Sequence, residues 1–372
     1  MVQIPPRHGG NLQQAAARLG CRPGQLLDFS ASLVPFGPPW SLRWAMAQAL
    51  GRAAASPLVV YPDRSYGQLR GAIAAHHGVD PEAVLPGNGA AELFTWAARE
   101  AAAEGLSLLP VPGFADYERA LACWNGGFLR LPLALNAWSA QPTGFAAALL
   151  DPDALGLGSV LWITNPHNPT GQLWSRASLE PLLQRYALVI VDEAFLPLVP
   201  GGEAQSLLPL VAQHPQLLVI RSLTKLFAIA GLRLGYAIGA PARLARWAGW
   251  RDPWPVNGLA AAVAAPLLQD RRWQGRVQRW VAREGAWFFS ELQGLGGLTP
   301  FPSAANYLLV RGKHSLLALQ GQLEQRRILV RDCRSFVGLD GHWLRLALLD
   351  RGRNQSLLAA LPGALALTSS DR

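Results

Sequence analysis

A chain of 372 residues, 50% of them hydrophobic and 15% charged, has the material for a large buried core, which excludes intrinsic disorder and collagen-like structure. At roughly 100–200 residues per domain the length implies two domains or one large α/β unit, and no run approaches the roughly 18 uninterrupted apolar residues of a membrane span. The net charge is +9, but the basic residues are scattered, with no tail or helix stripe. That pattern argues against nucleic acid and for attraction of small anionic metabolites.

The opening MVQIPPRHGG has neither a basic-then-apolar leader nor an Arg/Ser-rich transit pattern, so a cytoplasmic location is expected. Cys21, Cys123 and Cys333 are odd in number and far apart, which fits neither a disulfide framework nor a zinc site. Only Lys225 and Lys313 are lysines; the other 31 of the 33 cationic residues are arginine. A guanidinium is effectively never deprotonated and cannot serve as an amine nucleophile. Lys225 is therefore a candidate catalytic amine before any motif is considered, whereas Lys313 lies between Gly312 and His314 in a turn-like stretch.

In chain order, the Pro/Gly-rich stretch 34–39 reads as a connection, and apolar spacing predicts helices over 67–77 and 91–103. Strands are predicted at 106–109 and 159–164, a helix at 176–186, then strands at 187–192, 217–222 and 234–239. This alternation predicts an α/β layer structure with a mostly parallel sheet. From about residue 260 the texture changes. A helical stretch rich in arginine and tryptophan, 271–293, leads to β-like runs at 306–310, 327–331 and 343–348. The expected division is a large domain of 46–260 and a smaller α+β domain of 1–45 and 261–372.

The chemistry falls at the ends of these strands. Asn165-Pro166-His167-Asn168-Pro169-Thr170-Gly171 follows one run, Asp192 closes the next, and Ser222-Leu223-Thr224-Lys225 follows the third, with Arg233 eight residues further on. Open α/β sheets bind ligands at the carboxyl ends of their strands. An amine, a carboxylate, an amide, hydroxyls and a guanidinium at one edge form the set that pyridoxal 5′-phosphate requires: a lysine for its aldehyde, a carboxylate for its pyridinium nitrogen, and donors for its phosphate.

These motifs, with Gly87-Asn88-Gly89-Ala90-Ala91-Glu92, Asp192-Glu193-Ala194-Phe195 and Arg233-Leu234-Gly235, resemble the fold-type-I pyridoxal-phosphate enzymes of the aspartate aminotransferase superfamily, nearest to histidinol-phosphate aminotransferases. Within it, His8-Gly9-Gly10-Asn11, Asp28-Phe29-Ser30-Ala31-Ser32 and the segment from Val330 to Leu339 resemble the threonine-phosphate decarboxylase family of cobalamin biosynthesis. Ser32-Leu33-Val34-Pro35 departs from that family's usual Ile-Asn-Pro, and Phe195 stands where the similar aminotransferases generally carry a tyrosine.

The resemblance implies that Lys225 holds the cofactor and transfers protons, and that Asp192 pairs with the pyridinium nitrogen with Tyr117 nearby. It further implies that Phe114 stacks on the ring and Asn168 meets its phenolic oxygen. Gly89, Ala90, Ala91, Ser222 and Arg233 would hold the phosphate, and Tyr61 would reach the cofactor of a second subunit in a homodimer. His8, Asn11, Arg331 and Arg345 are the implied substrate contacts, and no metal is expected. The implied reaction is decarboxylation of L-threonine O-3-phosphate; transamination of histidinol phosphate or a related amino acid is the alternative.

Overall fold

The computed structural model describes residues 9–135, 139–145 and 159–370. The runs that are apolar at both parities become the central strands, because a strand covered on both faces cannot alternate with polar residues. Strands β1 (Leu27–Phe29), β2 (Val84–Asn88), β3 (Ser107–Val111), β4 (Phe128–Pro132), β5 (Val160–Thr164), β6 (Leu188–Asp192), β7 (Leu217–Ser222) and β8 (Leu234–Ile238) are followed by β9 (Leu298–Pro300), β10 (Tyr307–Gly312), β11 (Ile328–Asp332) and β12 (Trp343–Ala347). Seven of them form a sheet in the order β2-β8-β7-β6-β5-β3-β4, and every residue of β5, β6 and β7 is buried. All neighbours in this sheet are parallel except β8, which runs antiparallel to both β2 and β7.

The alternation of side chains divides the core in two. Val160, Trp162, Leu188, Ile190, Leu218 and Ile220 pack with Leu93, Phe94, Ala97 and Ala101 of the helix Gly89–Glu104 and with Trp247. Leu161, Ile163, Val189, Val191, Leu217 and Val219 face the other way. They join a cluster that includes the helices Gly67–His77, Gly258–Gln269 and Arg271–Gln293. With both faces covered, the carboxyl edge of β5, β6 and β7 is left as the place where ligands can reach the sheet.

The second sheet has the order β1-β11-β12-β10-β9, with β1 parallel to β11 and the remaining neighbours antiparallel. Strand β1, drawn from the start of the chain, thus lies against strands from its end. The link is strengthened at Asp270, whose carboxylate accepts the Trp273 amide at 2.9 Å as the cap of the helix Arg271–Gln293 and the Ser41 hydroxyl at 2.7 Å.

The helices expected at 67–77 and 271–293 and the strand at 217–222 are present at those bounds. The helix expected at 176–186 is not. It is one α-turn, Arg176–Leu179, followed by a 3-10 turn, Glu180–Gln184, because Pro181 has no N–H to continue the ladder and its ring meets the preceding turn. Strand β2 lies outside the expected strands; its Pro86 is tolerated because β2 lies at the sheet's edge.

Replacing Asp270 by Ala removes both the helix cap and the tie to Ser41. The expected loss is about 1–2 kcal/mol of stability in urea unfolding followed by far-UV circular dichroism; an unchanged midpoint would show that neither bond contributes.

Candidate active site

A cavity of about 360 Å³ opens at the carboxyl edge of the seven-stranded sheet, beside the second sheet. Asp192 ends β6 there and is buried; its Oδ2 accepts the Tyr117 hydroxyl at 2.7 Å and its Oδ1 accepts the Ala194 amide at 2.9 Å. The Tyr117 hydroxyl also lies 2.8 Å from Thr164 Oγ1 at the end of β5. Burial pushes the Asp192 carboxyl up to about 6, against the lowering effect of the Tyr117 and Ala194 hydrogen bonds and of the Lys225 charge.

Lys225 stands in the short helix Leu223–Leu226 directly after β7, and its Nζ lies 5.8 Å from the centre of the Phe195 ring. Burial, then the charges of Arg345 and Arg233, bring its amine down to about 8, with Asp192 opposing. Ser222 caps this helix, its Oγ accepting the Thr224 amide at 3.3 Å and lying 2.7 Å from Thr224 Oγ1.

Ala90 and Ala91 open the helix Gly89–Glu104, where the first amides have no acceptor within the helix. Arg233 converges on the same point from a left-handed backbone conformation, φ 54°. Crowding there is severe. A Cβ on Gly89, at φ +74°, would stand 2.6 Å from Arg233 Nη2, and one on Gly235 would stand 2.8 Å from the Ala90 amide nitrogen. Both positions require glycine so that a guanidinium and a helix N-terminus can share one corner, an arrangement suited to a phosphate.

On the opposite wall, the register of β11 and β12 sets Arg331 directly across from Arg345, both buried. Arg345 Nη1 donates to Asn168 Oδ1 at 2.5 Å and Nη2 donates to the Ser30 carbonyl at 3.3 Å. Arg331 Nη2 donates to Ser335 Oγ at 2.5 Å. Burial, then the facing charge of Arg345, lowers the Arg331 guanidinium to about 10, and burial lowers that of Arg345 as well.

Of the residues singled out in the sequence, the structure brings Ala90, Ala91, Phe114, Asn168, Asp192, Ser222, Lys225, Arg233, Arg331 and Arg345 to one cavity, with Gly89 behind its phosphate corner. Two it does not bring in. Asn11 is exposed and caps the helix Leu12–Arg18, accepting the Gln14 amide, which is the ordinary work of an asparagine before a helix. Tyr61 is 78% exposed and stacked on Trp254 at 4.4 Å, outside this cavity. His8 lies outside the described residues.

Sequence reading overlooked Ser30, Ser32, Thr224 and Phe336 as cavity residues. The available signal was position: small polar residues just past β1, and a hydroxyl one residue before the lysine.

The chain belongs to the aminotransferase class I and II family, which it matches over residues 25–361. It is 39% identical to the threonine-phosphate decarboxylase of Salmonella typhimurium over 98% of both chains. Among solved structures, L-threonine-O-3-phosphate decarboxylase from Porphyromonas gingivalis matches with a TM-score of 0.77 and 25% identity, covering 92% of this chain and all of the other. Histidinol-phosphate aminotransferase from Sinorhizobium meliloti, in complex with pyridoxal-5′-phosphate, matches with a TM-score of 0.84 and 21% identity over 99% of both. The protein is thus a pyridoxal-phosphate-dependent enzyme of fold type I, and the cavity fits the cofactor: it is lined by an amine and a carboxylate, with a glycine-cleared corner where a guanidinium meets a helix N-terminus.

Because the Tyr117 hydroxyl holds Asp192 ionised against burial, Tyr117→Phe is expected to raise the Asp192 pKa above about 6. Cofactor affinity of the cofactor-free protein, titrated from pH 5 to 8, should then fall off at a higher pH than in the parent. An unmoved acid limb would show that the hydrogen bond does not set this ionisation.

Proposed function

We propose that the enzyme decarboxylates L-threonine O-3-phosphate to (R)-1-amino-2-propanol O-phosphate and CO2, a step of cobalamin biosynthesis. The observation that carries this reading is the buried pair Arg331 and Arg345, set opposite each other on the cavity wall. Like charges directly across a β ladder are destabilising, and buried ones more so. Arg345 Nε is also buried without a hydrogen-bond partner among the described residues. A ligand with both a carboxylate and a phosphate could meet the two guanidinium groups together, and arginine's planar fork suits both anions. The identity with the Salmonella typhimurium enzyme supports the same reading.

In this proposal Ala90, Ala91, Ser222 and Arg233 hold the cofactor's phosphate, Asp192 its pyridinium nitrogen, Phe114 its face and Asn168 its phenolic oxygen. The bound cofactor supplies an electron sink for the pair released at Cα. Arg345 can only donate, so the Asn168 atom facing it is oxygen, and the amide nitrogen of Asn168 is left to donate into the cavity. Arg331 and Arg345 would fix the substrate's two anions and thereby decide which bond at Cα is broken. Decarboxylation breaks the bond from Cα to the carboxylate, CO2 leaves, and the electron pair left at Cα takes a proton. Lys225, with its amine brought down to about 8, delivers that proton near neutral pH.

The large unit of 46–260 would bind the cofactor, and the small unit of 1–45 and 261–372, which contains Arg331 and Arg345, would select the substrate. Two such chains would form a homodimer in which Tyr61 serves the neighbouring site. Trp40, Trp44, Leu58, Val59, Val60 and Tyr61 are all at least half exposed in the single chain, an apolar surface of the kind that a second copy covers. Transamination is the second reading, favoured by 31% identity over 89% of this chain to the histidinol-phosphate aminotransferase of Methylibium petroleiphilum.

Incubation of the cofactor-loaded enzyme with L-threonine O-3-phosphate and no 2-oxo acid should release CO2 and amine in equal amounts. Turnover only on addition of a 2-oxo acid would establish the aminotransferase instead. Arg331→Ala and Arg345→Ala should each lower kcat/KM on the order of 100-fold, the scale of one charge-assisted anion contact. Sedimentation equilibrium should give a dimer; a fully active monomer would refute the shared site.

A further inference from the structure

Behind the cavity, near the same sheet edge, lies a buried ion cluster that none of the steps above uses. Arg221 is 1% exposed and Glu193 is fully buried. Arg221 Nε donates to Glu193 Oε2 at 2.8 Å, and its Nη2 lies 2.6 Å from the same oxygen. Its Nη1 and Nη2 donate to the two carboxylate oxygens of Glu203 at 2.8 and 3.0 Å. The Ser206 hydroxyl donates to Glu193 Oε2 at 2.7 Å, and the Leu207 amide donates to Glu193 Oε1 at 2.9 Å.

Glu193 and Arg221 are each the chain neighbour of a cavity residue. Glu193 follows Asp192 at the end of β6, and Arg221 precedes Ser222 at the end of β7. Successive side chains of a strand leave on opposite faces. Asp192 and Ser222 therefore line the cavity while Arg221 meets Glu193 away from it, in a region walled by His76, Glu203 and Tyr236. The clasp lies where the ladder ends: Asp192 is in register with Ile220, and the Glu193 amide donates to the Ile220 carbonyl at 2.9 Å. A buried ion pair is a poor source of net stability, since apolar residues of the same volume often serve as well. What a guanidinium fork supplies here is fixed geometry between two strand ends.

We propose that Glu193 and Arg221 are positioning residues for the cofactor: their clasp fixes the ends of β6 and β7 and so sets Asp192 against Ser222 and Lys225. This rests on the cofactor site and not on which bond at Cα is broken. Glu203 provides the internal comparison. It binds the same guanidinium as closely, but its side chain is 43% exposed and its neighbours do not line the cavity.

The test is titration of the cofactor-free protein with pyridoxal 5′-phosphate, without substrate, in Glu193→Gln and Glu203→Gln, with thermal midpoints and the visible circular dichroism of the bound cofactor recorded in parallel. Glu193→Gln should raise the cofactor Kd at least tenfold and weaken the dichroic band, while Glu203→Gln should change Kd less than twofold. Any other pattern, including equal changes in both or none in either, overturns the proposal. Should Glu193→Gln fail to fold, Ser206→Ala, which removes one donor from the Glu193 carboxylate, replaces it in the same comparison with an expected rise of about threefold. Because no substrate is present, failure of this test is separate from failure of the decarboxylase reading.

Discussion

The constraint on which this structure depends is the burial of charge at the edge of an apolar sheet. β5, β6 and β7 are covered on both faces, so an ion at their carboxyl ends has little water to solvate it. Asp192 is kept usable by donors placed on it, the Tyr117 hydroxyl and the Ala194 amide. Lys225 is kept usable by the opposite means. Burial and two guanidinium groups make its proton easy to lose, and only Asp192 favours the charged form. The same low-dielectric edge therefore yields an acid whose pKa has risen to about 6 and an amine whose pKa has fallen to about 8. In the proposed reading the first must stay ionised to pair with the cofactor's pyridinium nitrogen, while the second can give up its proton near pH 7.

Much of this was legible in the sequence because the residues involved sit at the ends of strands with an unmistakable pattern. VLWIT, LVIVD and LLVIRS have few readings other than buried parallel strands, so whatever polar residue ends them must be at the ligand edge. The near absence of lysine singled out Lys225 independently. What was not legible is what depends on registers between distant segments. Nothing local in 328–332 or 343–347 says that Arg331 and Arg345 stand across from each other; that follows from antiparallel pairing of β11 with β12. Strand β1, three residues long, has almost no periodicity of its own and forms because β11 offers it an edge. Asn11 illustrates the opposite failure. A polar residue in a suggestive motif was explained by its nearest neighbours, as the cap of the helix it precedes.

Polar contacts join the two sheets, among them the Tyr307 hydroxyl of β10 donating to the His167 carbonyl at 2.9 Å and a bridge built on Arg345. Arg345, from the second sheet, donates both to Asn168 in the loop after β5 and to the Ser30 carbonyl in the loop after β1. Ser30 is held in turn by Asp28, whose Oδ1 accepts its amide at 2.8 Å, and its hydroxyl accepts the Gly10 amide at 2.9 Å. One guanidinium thus joins the N-terminal segment, the small sheet and the cofactor edge of the large one. An anion arriving at Arg345 acts on all three at once, because every bond this side chain makes is a donation and an added acceptor competes for the same N–H groups.

This bridge also explains why fold likeness alone is a weak guide to the reaction. The bound cofactor would supply the electron sink and the large sheet the amine of Lys225, which decarboxylation and transamination would use alike. In the proposed reading the choice between them lies in the orientation of the substrate's anions, which would meet Arg331 and Arg345 on the other sheet. Under the proposal, selection of the reaction would be a property of how the two sheets are fixed together, and the same sheet edge could serve either chemistry.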